Sequence, residues 1–237
     1  MIDYYLNTHK VLGCSVAFVD GQDLVWSEGF GHSDLKKTTP ATSKTLYRAG
    51  SITKLITDIA VMQLVEEGLL DIDKPIEDYM TDFHPPNPFS TKITTRHLMT
   101  HTSGLVREPP VGSYFDNSNP SLEATIESVN SSPLLTEPGT VTKYSNVGIA
   151  VLGHLVSKLS KKDWRQRYQE TLLSRMGMKS STLEEENFKG ESEMWRYDRY
   201  RFQAPQWTLG CGPAGCLIST VEDLSEFART LMNNGTN

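Results

Sequence analysis

The chain has 237 residues and a mass of 26.5 kDa, with 38% hydrophobic and 22% charged residues. That balance excludes disorder and a fibrous repeat, and at ~150 residues per domain the length fits one large domain or two small ones. The 23 basic and 29 acidic residues are scattered without a long single-sign block and leave a net charge of −6, which excludes the basic field that non-specific nucleic-acid binding needs.

No apolar run reaches the roughly 18 residues that span a membrane. Residues 1–13 hold Asp3, His9 and Lys10 and lack the apolar centre of a signal peptide. Residues 11–19 and 24–30 are rich in β-formers around Asp20-Gly21-Gln22-Asp23, which predicts a hairpin. The strongest helical pattern spans 51–67, where Ile52, Leu55, Ile56, Ile59, Val61, Met62 and Leu64 cover more than one face. Such a helix is expected to be buried over most of its girth, and Gly68 ends it.

The proline-rich stretch 75–88 reads as loop, and 94–100 as a short helix capped by Thr94 or Thr95. Residues 106–121 read as a long loop. Helices follow at 121–129, 147–159 and 163–175, then a turn at 210–215 and an amphipathic helix at 220–233. No convincing strand follows the hairpin. The fold class is therefore α+β, mostly helical. A lone hairpin is marginal, so its apolar edge is expected to stay open and to invite self-association with another chain. The cysteines Cys14, Cys211 and Cys216 are too few for a disulfide framework. Cys211 and Cys216 could pair, but small buried thiols are the preferred reading.

Ser51-Ile52-Thr53-Lys54 is Ser-x-x-Lys. On a helix the two ends share a face, which brings an amine to a hydroxyl that needs a base to become a nucleophile. Burial of Lys54 would favour its neutral, basic form. The motif alone is weak, since about one match arises by chance in a chain of this composition. Ser33-Asp34-Leu35-Lys36 is such a match, without a helical pattern around it. Lys54 also stands four residues before Asp58, as in an ordinary surface ion pair.

Tyr144-Ser145-Asn146 follows the turn signal Pro138-Gly139. A tyrosine there suits proton relay and an asparagine suits a substrate amide, although Asn146 also reads as a helix N-cap and Tyr5-Leu6-Asn7 matches the same pattern. His97 and His101 have the spacing of paired metal ligands but no third ligand is evident, so no metal is expected. The sequence has no Gly-x-Ser-x-Gly elbow and no P-loop.

Order and surroundings say more than single motifs. Tyr47-Arg48-Ala49-Gly50-Ser51-Ile52-Thr53-Lys54 leads into Gln63-Leu64-Val65-Glu66-Glu67-Gly68. His97-Leu98-Met99-Thr100-His101-Thr102-Ser103-Gly104-Leu105 comes next, then Tyr144-Ser145-Asn146 and Gly215-Cys216-Leu217-Ile218-Ser219-Thr220. Over nearly its whole length the chain resembles the serine β-lactamase-related family of class C β-lactamases, D-alanyl-D-alanine carboxypeptidases and esterases.

The resemblance implies a serine hydrolase that forms an acyl-enzyme on an amide or ester, a small-molecule or peptide substrate, and no cofactor. It implies Ser51 as nucleophile, Lys54 and Tyr144 as the groups that move its proton, and Asn146 as the substrate-binding amide. His97, His101 and Ser103 would be structural. The family's third motif, Lys/His-x-Gly on a later strand, is absent after Tyr144. The expectation is one C-terminally incomplete domain, with an N-terminal segment and hairpin over 1–50 and a helical region over 51–237. A catalytically impaired relative or fragment used for binding or assembly is the alternative. Family members are often periplasmic, secreted or membrane-associated.

Overall fold

The computed structural model describes residues 1–114, 116–185, 194–197, 200–203 and 208–235. In chain order the elements are α1 (Ile2–His9), β1 (Gly13–Asp20), β2 (Asp23–Gly31), β3 (Tyr47–Arg48), α2 (Thr53–Glu66), α3 (Thr95–Met99), α4 (Leu122–Val129), α5 (Asn146–Ser160), α6 (Trp164–Tyr168), β4 (Met194–Tyr197), β5 (Tyr200–Gln203), β6 (Ile218–Ser219) and α7 (Val221–Met232). They fall into two compact units, one of Met1–Ala49, Leu172–Gln206 and Leu217–Asn237, the other of Gly50–Thr171 and Trp207–Cys216. The arrangement is α+β, mainly helical with few strands.

In the first unit β1 and β2 pair antiparallel, from Gly13 opposite Gly31 to Asp20 opposite Asp23. The hairpin is therefore where the two β-rich runs place it. Helix α7 packs on both strands, and Thr220 caps it by accepting from the Asp223 N–H. Helix α1 is an addition to the sequence reading, because eight residues that bury only Leu6 carry no legible period.

The expectation of no further strands is corrected. β3 pairs antiparallel with β6, Thr182 bridges to Ile218, and β4 pairs with β5. Strands of two residues have no alternation to read; they exist because Ile218 has a neighbour on each side. Among the described residues β1 pairs with no strand other than β2, and Phe18, Val25 and Trp26 of the hairpin are exposed.

In the second unit α5 is the core. Val147, Ile149, Ala150, Val151, Leu152, Leu155 and Val156 are fully buried, each valine, leucine or isoleucine worth ~1.5–3 kcal/mol of burial. Around it pack α2, α3, α4, α6 and the single 3₁₀ turn Gly212–Ala214. Gly153 permits that last contact, since a Cβ there would sit 2.2 Å from Pro213 Cγ. The helix expected over 163–175 is α6, capped by Asp163, followed by a π-helical turn at Gln169–Leu173.

Helix α2 departs from its apolar pattern. Thr53, Lys54 and Thr57 are buried while Leu55 and Met62 are exposed. Gly68, at φ +72°, follows its C-cap residue Glu67. Cys211 and Cys216 are buried and carry no disulfide, in line with the preferred reading. No helix among the described residues is long and apolar enough to cross a membrane.

Candidate active site

The centre of the site is the start of α2. Gly50, at φ +54°, turns the chain into a single 3₁₀ turn over Gly50–Ile52, which runs straight into the helix. Thr53 Oγ1 ties that turn down by donating to the Gly50 carbonyl at 2.6 Å. Ser51 is thereby exposed at the helix tip, while Lys54, one turn on, is only 5% exposed.

The Lys54 side chain is aimed by two acceptors. Its Nζ donates to Ser51 Oγ at 3.2 Å and to the Ala214 carbonyl at 2.5 Å. The turn that supplies this carbonyl is fixed to the same helix by Thr57 Oγ1, which donates to Pro213 O at 2.8 Å. The surface ion pair with Asp58 is not formed, because Lys54 turns inward to these partners. Asp58 is partly buried, and its Oδ1 has no hydrogen-bond partner among the described residues. Burial pushes its carboxyl up to about 7, against the opposing pull of the Lys54 charge.

Tyr144 approaches from the loop before α5, with Oη 2.8 Å from Ser51 Oγ. Its ring lies 4.5 Å from the His101 ring, with Lys54 Nζ at 4.9 Å and the Arg107 guanidinium at 5.0 Å from its centroid. The loop is set by Ser145, whose Oγ accepts from the Gly148 N–H at 3.0 Å and donates to Val106 O at 2.7 Å. The N-cap of α5 is thus Ser145, which corrects the reading of Asn146 as the cap. His101 Nδ1 accepts from the Ser145 N–H at 3.3 Å. Burial, aided by the Lys54 charge, lowers the His101 pKa, so the ring is neutral at neutral pH and able to accept. His97 closes a capping box with Thr94 at the start of α3. Among the described residues no group of three or more side chains could hold a metal ion.

Asn146 is the first residue of α5 and is buried. Its backbone N–H donates to Arg107 O at 2.8 Å and its Nδ2 to Glu108 Oε1 at 2.7 Å. Among the described residues it makes no hydrogen bond to Ser51, Lys54 or Tyr144. The structure therefore brings three of the four expected residues into one hydrogen-bonded set and holds the fourth against Glu108. The sequence reading missed Glu108, Arg107 and the Ala214 carbonyl. The first two lay inside a stretch read only as loop, and a backbone carbonyl has no sequence signal. The Ser33 match sits after β2, where Ser33 Oγ donates to Thr39 O at 3.4 Å, and Tyr5 stacks on His9 in α1.

Ser51, Lys54 and Tyr144 form one hydrogen-bonded set at the start of α2, on a fold of the β-lactamase/transpeptidase class. The chain belongs to the beta-lactamase family, whose model matches residues 1–237 and whose members are serine hydrolases. It is 24% identical over 238 residues to Protein flp of Staphylococcus aureus (strain MW2), an alignment of 98% of this chain and 48% of that protein. It therefore spans about half the length of the curated relatives it matches. Among solved structures it is similar to the octameric penicillin-binding protein homologue of Pyrococcus abyssi, with a TM-score of 0.84, 28% identity, and coverage of 98% of this chain and 55% of that one. It also shares the fold of a D-amino acid amidase from Ochrobactrum anthropi SV3, with a TM-score of 0.83, 21% identity, and coverage of 98% and 68%.

Proposed function

We propose that this site performs acyl transfer from an amide or ester through a covalent acyl-enzyme on Ser51. The observation that carries this reading is the convergence of Lys54 Nζ and Tyr144 Oη on the exposed Ser51 Oγ, at 3.2 and 2.8 Å. A neutral serine needs such a base beside it. In the first step Ser51 Oγ bonds to the substrate carbonyl carbon and gives its proton to the Lys54–Tyr144 pair. The bond to the leaving group then breaks and the pair returns the proton to it. Water repeats the sequence on the acyl-enzyme and frees the acid. Asn146 holds the substrate beside the reacting carbonyl. The substrate class we propose is β-lactam, D-Ala-D-Ala-type peptide or carboxylic ester, all of which share this acylation step.

Intact mass after incubation with a fluorophosphonate or a labelled penicillin tests the assignment. One adduct on the wild type, absent from Ser51→Ala, is expected. No adduct, or an equal adduct on the variant, overturns it and leaves a binding or assembly role. We also propose that the chain self-associates along the edge of β1, supported by that strand's single pairing among the described residues and the exposed Phe18 beside it.

A further inference from the structure

Helix α1 packs on β2 with its faces reversed. Its aromatic residues Tyr4 and Tyr5 are exposed, although an amphipathic helix ordinarily turns its apolar stripe inward. Asp3, Asn7 and Lys10 instead share one stripe with Leu6, the buried residue of the helix. That stripe lines a cavity of about 390 Å³, together with Leu12, His32 and Lys37. The volume falls in the range of small-molecule sites, and Asp3, Lys10 and Lys37 are exposed, so a ligand reaches them. The cavity is polarised along the helix. Lys10 and Lys37 line it, and among the described residues neither side chain has an ion pair or hydrogen bond. Asp3 lies toward the other end of α1, about 10 Å from Lys10 along the axis. Its carboxylate acts toward the hairpin, where burial and then the Asp3 charge raise the Cys14 thiol pKa. Leu6 and Leu12 supply apolar surface to the same cavity.

We propose that this cavity is a binding site for a linear zwitterion, with its anionic end on Lys10 and Lys37, its ammonium on Asp3 and its apolar chain on Leu6 and Leu12. A simple anion would leave Asp3 without a counter-charge, and a simple cation would leave both lysines without one. A ligand with a charge of each sign at its two ends meets all three groups. The proposal is independent of the reading of Ser51. Lys10 and Lys37 both have left-handed backbone, at φ +54° and +60°, the conformation that glycine adopts most readily. Glycine at either position therefore removes the ammonium and keeps the backbone.

Isothermal titration of the full chain with ω-aminooctanoate, octanoate and octylamine separates the two charges on one chain length. The zwitterion is expected to bind about fivefold or more tighter than either singly charged probe, as a charge-assisted contact at each end implies. In Asp3→Asn its advantage over octanoate should fall to within about twofold, the loss of the ammonium contact alone. In Lys10→Gly and in Lys37→Gly its advantage over octylamine should fall in the same way. Each variant is checked for native circular dichroism. Lys161→Gly is the control, since Lys161 is also left-handed, at φ +56°, and does not line the cavity; it should bind as the wild type does. No saturable binding up to about 10 mM, weaker than the millimolar affinity of about −4 kcal/mol, overturns the proposal. So does equal affinity for the three probes, an unchanged ranking in any folded cavity variant, or an equal loss in Lys161→Gly.

Discussion

At the residue scale the site is a matter of three polar atoms and what holds them. Ser51 Oγ is reached by a buried lysine on its own helix and by a tyrosine ninety-three residues away. Tyr144→Phe removes one hydroxyl and leaves the ring against His101. We expect acylation by a fluorophosphonate to slow ~10²–10⁴-fold, the range for a lost acid–base group, with an unchanged melting temperature. A variant acylated at the wild-type rate would show that Tyr144 moves no proton. Asp58 gives a prediction in pH. Its folded-state pKa of about 7 lies above the ordinary 3.8, so the folded chain binds this proton more strongly than the unfolded one. Its contribution is fully favourable below about pH 4 and is lost as pH rises to about 7. Asp58→Asn is neutral throughout. Its melting temperature relative to wild type should therefore climb between about pH 4 and pH 7 and level off above that, as that linkage requires. An equal difference at both ends would contradict the burial argument.

At the element scale the start of α5 matters most, because one cap sets both the helix and the loop carrying Tyr144. Ser145 Oγ serves the Gly148 N–H and the Val106 carbonyl together. Ser145→Ala should cost ~1–2 kcal/mol in urea unfolding, with Ser145→Thr recovering most of it. A loss within error would mean that the loop is held elsewhere. The long elements were legible in the sequence, since the hairpin, α2, α5 and α7 carry periods that lengths of eight or more residues express. The exceptions have physical causes. β3 and β6 are two residues each, α1 buries one side chain, and α2 turns Thr53, Lys54 and Thr57 inward because the Gly212–Ala214 turn offers carbonyls there.

At the scale of the whole molecule the hairpin presents three exposed apolar side chains, Phe18, Val25 and Trp26. β1 has β2 as its one partner strand among the described residues, and Phe18 is 59% exposed. Unpaired edges beside apolar side chains recruit other chains. Light scattering after size exclusion should show a concentration-dependent oligomer. Phe18→Lys, which adds the charge that protects natural edges, should shift it toward monomer. A monomer at all concentrations sinks the edge-pairing idea.

The sequence by itself determined the family, the α+β class and three residues that the fold gathers at one hydroxyl. Those follow from periodicity and from ordered motifs, which are properties of the chain read along its length. Tertiary structure alone decided that Lys54 is buried against Ala214 O rather than paired with Asp58, that Ser145 is the cap, and that Asn146 answers to Glu108. Each of those depends on which acceptor a distant segment brings within hydrogen-bond reach. Spacing along one element does not encode that, because a polar group takes whichever partner burial leaves it.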